Sequence, residues 1–281
     1  MSFKTILYEK ADGIATLTLN RPEESNAIND AMLEELDTAF IDVEQDTDIR
    51  VLVIKGAGKD FSIGHDLNQS PGAESARDPN PATSARETME AERAWNRRWE
   101  IFFNLARPTI AQVHGKCLGT GFYLAMLCDL VVASEDATFG DPSLAMGMMP
   151  TMPLLTYLIG LKKAKELTYF GRTVDGREAE KLFLINKAVP SAKLEDEVNH
   201  YAKALTIPPA DGMVLAKETL NSIMEVRGLG AAWRHTTNMG VLARSQEADA
   251  APGEFDFFAI KEKKGLQAAL EERDRLFRDL F

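Results

Sequence analysis

With 281 residues, 45% hydrophobic and 27% charged, the chain can bury a sizeable core, which excludes global disorder and the collagen, coiled-coil and membrane classes. Its 43 acidic residues against 32 basic ones leave a net charge of −11, which repels a phosphate backbone, so nucleic acid is not an expected partner. Two cysteines, Cys117 and Cys128, make no disulfide framework and have no metal-ligand spacing. The opening MSFKTILYEK lacks the apolar core of a signal peptide, and no run reaches the roughly 18 apolar residues of a membrane span. A cytoplasmic protein with no membrane partner is expected.

Phe3 to Leu19 alternates in polarity about Asp12-Gly13, a favoured two-residue turn, and reads as a β-hairpin. Arg21-Pro22 breaks it. Asn29 then caps a helix whose Leu33, Leu36, Ala39, Phe40 and Val43 recur at helical spacing, with Ile28 and Leu33 placed as a hydrophobic staple. Val51–Ile54 is a short apolar run that reads as a strand buried on both faces, and the succession of strand, helix and strand suggests a parallel crossover. Asn68 to Ser84 has no periodicity and reads as a loop. Trp95, Trp99, Phe102, Phe103 and Ala106 form the stripe of a helix ending at Arg107-Pro108. A strand over Thr109–Val113, a helix opening at Gly119-Thr-Gly121 and a strand over Asp129–Ala133 follow. After Pro150 helices dominate, with Pro208-Pro209 as the clearest break, and Lys261 to Lys264 reads as a solvated basic helix face.

Two glycine-bearing turns stand at the ends of consecutive core strands, FSIGHDL over 61–67 and HGKCLGTGFYL over 114–124. The second runs into a helix, whose first N–H groups have no intrahelical acceptors and whose dipole favours negative charge. Two such donors converging on one point make an oxyanion hole. Neither the P-loop pattern nor the G-x-G-x-x-G fingerprint is present.

The combination of LNRPEESNAI, FSIGHDL, ARPTIAQVHGKCLGTG, AMLCDLVVASEDATFGDPS and GRTVDGREAEKLFLINKAVP resembles the crotonase superfamily, the enoyl-CoA hydratase/isomerase family, in order and over nearly the whole chain. The resemblance implies an α/β fold, a crotonase-like spiral of ββα units over residues 1–205, and a helical C-terminal oligomerisation region over 206–281. It further implies a homotrimer or hexamer and an acyl-CoA small-molecule substrate, with coenzyme A arriving as part of the substrate and no separate cofactor or metal. Carried over position by position, the oxyanion donors are the backbone N–H groups of His65 and Thr120, and substrate contacts fall on Ala27, Ile63, His65, Asp66, Leu67, Asn68 and Thr120.

The two positions where hydratases of this family hold glutamates are occupied by Tyr123 and Ser143, and a further acidic position of some members is Thr151. A hydroxyl cannot serve as the base near neutral pH, since free tyrosine ionises near pH 10. The substitutes within reach of the pattern are Tyr123 as proton donor, Asp141 as a displaced carboxylate two residues before Ser143, and the imidazole of His65. In an extended segment Asp141 and Ser143 would face the same way. Asp66 is expected to shape its turn and His114 to be structural. Met146, Met148 and Met149 suit an acyl pocket or the core. The expected activity is that of an acyl-CoA-processing lyase or isomerase. The alternatives are a hydrolase or decarboxylase of the same fold, and an acyl-CoA-binding protein without turnover.

Overall fold

The computed structural model describes residues 3–68, 84–149, 152–245 and 253–278. Strands β1 (Ile6–Ala11) and β2 (Ile14–Leu19) form the hairpin, with Asp12 and Gly13 both at positive φ (52° and 78°), as the tight turn demands. Helix α1 (Asp30–Gln45) starts where Asn29 Oδ1 accepts from Met32 N at 2.9 Å, and Ile28 and Leu33 are buried as a staple requires. It delivers the chain to β3 (Val51–Gly56), which lies parallel to β2. Strands β4 (Thr109–Val113), β6 (Leu130–Ser134) and β9 (Lys187–Val189) extend one six-stranded sheet in the order β1-β2-β3-β4-β6-β9, antiparallel only at the hairpin.

The apolar runs of β3, β4 and β6 follow from burial of both faces. Leu52, Ile54, Ala111, Val113 and Val131 face the main core with Leu36, Phe40 and Phe102. Val51, Val53, Ile110 and Val132 face Val198 and Ala202 of a helix on the other side, α6 (Leu194–Thr206). A second, three-stranded sheet of β5 (Lys116–Leu118), β7 (Thr138–Gly140) and β8 (Thr173–Asp175) sits beside the first.

Helix α2 (Ala85–Phe103) opens on a capping box between Ser84 and Glu87. Its buried face carries Glu92 and Asn96 as well as Trp99 and Phe102, and Ala106 lies beyond its end. The remaining helices are α3 (Gly119–Leu127), α4 (Leu155–Phe170), α5 (Gly176–Lys181), α7 (Ala210–Val226), α8 (Leu229–Ser245), α9 (Phe257–Lys264) and α10 (Leu266–Arg278). From Pro209 onward the described chain is helical and docks on what precedes it. Asn96 of α2 donates to Thr237 of α8 at 2.9 Å, and Lys217 of α7 donates to Asp129 at 2.8 Å. Among the described residues no helix is long and apolar enough to cross a membrane.

Candidate active site

The segment 62–66 is held on both edges. On one, Ser62 N donates to Lys116 O and Leu118 N donates to Ser62 O, both at 2.9 Å. On the other, Ile28 N donates to Gly64 O at 2.8 Å and Asp66 N donates to Ile28 O at 3.0 Å. In such a parallel pairing the N–H of the middle residue points away from the partner. The His65 peptide N–H is therefore turned towards the edge along which residues 116–120 run. Gly64 is left-handed (φ +95°), and a methyl group there would lie 2.8 Å from Leu118 O and 3.1 Å from Thr120 N, so no side chain fits between the two turns.

Thr120 is the second residue of α3, where Leu118 at the N-cap supplies no side-chain bond and the first N–H groups lack helical acceptors. The left-handed conformation of this turn falls on Gly119 (φ +50°), not on Thr120, so the β-branched residue carries no backbone strain. Thr120 and Tyr123 are three residues apart on α3 and share a face. The expectation that HGKCLGTG opens a helix is met, and the two glycine turns lie against each other.

Tyr123 is buried, and its hydroxyl donates to Asp141 Oδ2. Asp141, 8% exposed, accepts on its other oxygen from Ser143 N at 3.0 Å and from the Ser143 hydroxyl. Asp141 and Ser143 meet because the Asp141 carboxylate caps a turn: Ser143 is helical (φ −55°, ψ −44°) and starts the short 3-10 helix Leu144–Met146. This turn replaces the expected extended segment with both side chains facing alike. The three residues nonetheless form one hydrogen-bonded cluster, Tyr123 and Asp141 buried and Ser143 half-buried.

Asp66 does not face this cluster. One carboxylate oxygen lies 2.9 Å from the Arg21 guanidinium and the other accepts from Asn68 N at 3.0 Å, with the Asp66 side chain 2% exposed. The Arg21 fork also donates to Ala27 O at 2.5 Å and to Glu24 Oε2 at 2.7 Å. The sequence pattern marks Arg21 only as the end of a strand. An arginine shortly before the turn residues Ser25 and Asn26 is a signal, but its acidic partner is 45 positions away.

The His65 ring stands edge-on to Trp95 (centroids 5.9 Å apart, 87°), and Trp95 edge-on to Trp99 (5.4 Å, 82°). Leu67 and Met148 pack with buried Met146 and Phe257, so α9 of the same chain lies against the end of the FSIGHDL turn. Lys261 of α9 donates to Leu67 O at 2.6 Å, which takes it out of the solvated face expected of the Lys261–Lys264 run. Of the other expected substrate contacts, Ala27 is buried with its carbonyl engaged, Ile63 is 40% exposed and Asn68 is exposed. His114 Nε2 lies 3.0 Å from Gly58 O, a structural contact as expected. Pro150, Thr151 and most of the Asn68–Ser84 loop lie outside the described residues, so the acidic position that the resemblance places at Thr151 is not located.

Burial pushes the thiols of Cys117 and Cys128 well above the usual range, Cys117 with Cys128 beside it and Cys128 with Asp129 adding to the shift, so neither is a nucleophile near neutral pH. Among the described residues no group of three or more His, Cys, Asp or Glu side chains is placed to hold a metal ion.

This chain matches the sequence model of the enoyl-CoA hydratase/isomerase family over residues 9–279. It belongs to that family. Among curated proteins it is 33% identical over 228 residues to a probable enoyl-CoA hydratase of Mycobacterium bovis, covering 80% of this chain and 84% of that one. It is 31% identical over 206 residues to the hydroxycinnamoyl-CoA hydratase-lyase of Pseudomonas fluorescens, covering 72% and 73%. Among solved structures, an enoyl-CoA hydratase/isomerase from Xanthobacter autotrophicus superposes with a TM-score of 0.85 at 31% identity, covering 98% of this chain and 99% of that one. The crotonase-like fold expected from the motifs is thereby established.

Proposed function

We propose that this member of the family is an enzyme acting on an acyl-CoA thioester, an enoyl-CoA or a close relative, whose carbonyl is polarised by the N–H groups of His65 and Thr120. The observation that carries the reading is the content of one helix: α3 presents the Thr120 N–H at its start and, one turn on, Tyr123 bonded to a buried carboxylate. The relatives named for enoyl-CoA and hydroxycinnamoyl-CoA support the substrate class. Coenzyme A arrives with the substrate, and the reading calls for no other cofactor. A cytoplasmic setting suits two free, buried thiols.

Negative charge developing on the thioester oxygen is stabilised by the two fixed donors, which need no reorganisation as the charge forms. Proton movement falls to Tyr123 and Asp141. With Oδ1 of Asp141 engaged by Ser143, Oδ2 receives the Tyr123 proton as Tyr123 Oη takes one from the substrate; the reverse transfer returns it. Such a relay lets a carboxylate act through a hydroxyl that alone is too weak a base. Isomerisation, and lyase chemistry needing a single proton carrier, fit this pair better than the two-glutamate hydration does. Burying Asp141 has a desolvation cost on the order of several kcal/mol before its donors compensate it.

Enoyl-, malonyl-type and aryl-CoA thioesters, assayed for turnover and for binding, test the reading. Asp141→Asn is expected to lose about 10²- to 10⁴-fold in rate with binding retained, and Tyr123→Phe to follow it. Binding without turnover of any thioester refutes the enzyme reading, and absence of affinity for all of them refutes the acyl-CoA site.

The homotrimer or hexamer has a candidate face on α7, where Leu215, Ile223 and Val226 are 66%, 52% and 88% exposed. Ile223→Glu together with Val226→Glu is expected to shift the mass in light scattering towards the monomer. An unchanged mass would exclude this face.

A further inference from the structure

Arg21 lies outside every role assigned above, yet it is 7% exposed and its guanidinium reaches two separate segments of chain. It donates to Glu24 and to the Ala27 carbonyl on one side, and pairs with Asp66 on the other. Asp66 directly follows His65, and its own N–H bonds Ile28 O. The Arg21 N–H is bonded in turn to Asn26 Oδ1 at 2.9 Å, while Asn26 Nδ2 donates to Ala57 O and Asp60 O at 2.8 and 2.7 Å. The peptide that carries the His65 N–H is bonded directly at Gly64 O by Ile28 N, and the buried Arg21–Asp66 ion pair anchors the chain one residue further on.

A buried pair of this kind is weak ground for stability, because apolar residues of similar volume often serve as well or better. What apolar residues cannot do is fix direction. A planar fork with two fixed acceptors and an ion-pair partner does so, and lysine, a point donor on a flexible stem, does not reproduce it.

We propose that Arg21 is a positioning residue for the oxyanion hole, holding the His65 peptide N–H in register with that of Thr120 through its ion pair with Asp66. This rests on the acyl-CoA reading given above. Arg21 touches no reacting atom; it acts through Asp66 and the backbone.

The test uses Arg21→Lys in the full-length chain, with 4-(dimethylamino)cinnamoyl-CoA as the probe. Its absorbance moves to longer wavelength when its thioester carbonyl is polarised, whether or not the protein turns it over. The expected result is a variant that melts as a cooperative unit and binds the probe, yet shows a smaller red shift than wild type. With a thioester that wild type converts, kcat is expected to fall about 10- to 100-fold with KM little changed, the size of effect that a misplacement near 1 Å produces. Asp66→Asn, which keeps the shape and removes the charge, is expected to reproduce both effects and serves if Arg21→Lys does not fold. A full red shift and full kcat in a folded variant overturn the inference while leaving the acyl-CoA reading intact. Wild-type protein that binds the probe with no red shift overturns the oxyanion reading and this inference with it.

Discussion

Replacing Gly121 by alanine probes the contact that brings the two turns of the site together. An ideal Cβ at position 121 would lie 2.5 Å from Ser62 Cβ, 2.7 Å from Ser62 Oγ and 2.9 Å from Ser62 O. Carbon atoms in favourable contact sit about 3.5–4.0 Å apart, so α3 must retreat from the 62–65 segment by roughly 1 Å. Ser62 cannot swing aside cheaply, because its hydroxyl donates to Asn26 O at 2.8 Å and accepts from Gly64 N at 3.1 Å. Overpacking of this kind costs about 1–3 kcal/mol, which at about 2–4 °C per kcal/mol lowers Tm by roughly 2–12 °C. The retreat separates the Thr120 N–H from the His65 N–H, and a displacement near 1 Å is expected to cost about 100-fold in kcat. Thermal melting by circular dichroism and steady-state kinetics on the same preparation measure both. Adding Ser62→Gly should restore part of the activity by removing the obstructing side chain. A Gly121→Ala protein with wild-type Tm and wild-type kcat would refute the close packing and the site geometry built on it.

Glu100, on α2, is held above the usual carboxylate range by burial and by the nearby charge of Glu225, so its ionised form costs stability at neutral pH. Glu100→Gln is expected to raise Tm at pH 7, with the gain shrinking as acid protonates the wild-type residue; equal melting at pH 7 would contradict this. Glu35 shows the opposite sign: burial pushes it up, but hydrogen bonds from the Thr5 hydroxyl and from the N–H groups of Lys4, Thr5 and Ile6 outweigh that and hold it low. Its contribution is present above the unfolded carboxylate range and fades as pH falls through the folded value, so Glu35→Gln should lower Tm at pH 7 and cease to differ from wild type in strong acid. Lys217→Met removes the donor to Arg107 O and Asp129 Oδ2 in a site 7% exposed, and urea unfolding should show a loss of about 1–3 kcal/mol.

Features that depend on near neighbours were legible in the sequence. The Asp12-Gly13 turn, the Asn29 cap and the doubly buried β3 each rest on a few consecutive residues, and all three appear where expected. The two glycine turns were legible as a pair through the family resemblance. Contacts between distant segments were not. Asn96 is buried because Thr237, 141 positions on, receives its hydrogen bond, and helical periodicity alone marks such a residue as solvent-facing. Arg21 stayed hidden for the same reason, its partner Asp66 being brought to it by the pairing of Ile28 with His65. The Tyr123–Asp141 bond required α3 and the return of the chain through β6 and β7, whereas Ser143 and Asp141 met through a local turn that the residue types permitted.

The segment bearing His65 is stitched on one edge to residues 25–28 and on the other to residues 116–118. It has no stretch that can melt alone without releasing chain on both sides, and those neighbours run directly into α1 and α3. Amide hydrogens at Ser62 and Leu118 should therefore exchange only through the global opening of the chain, as slowly as those of the central strands. A ligand that occupies this place stabilises the whole cooperative unit by mass action, so exchange at β3 amides becomes a gauge of its occupancy.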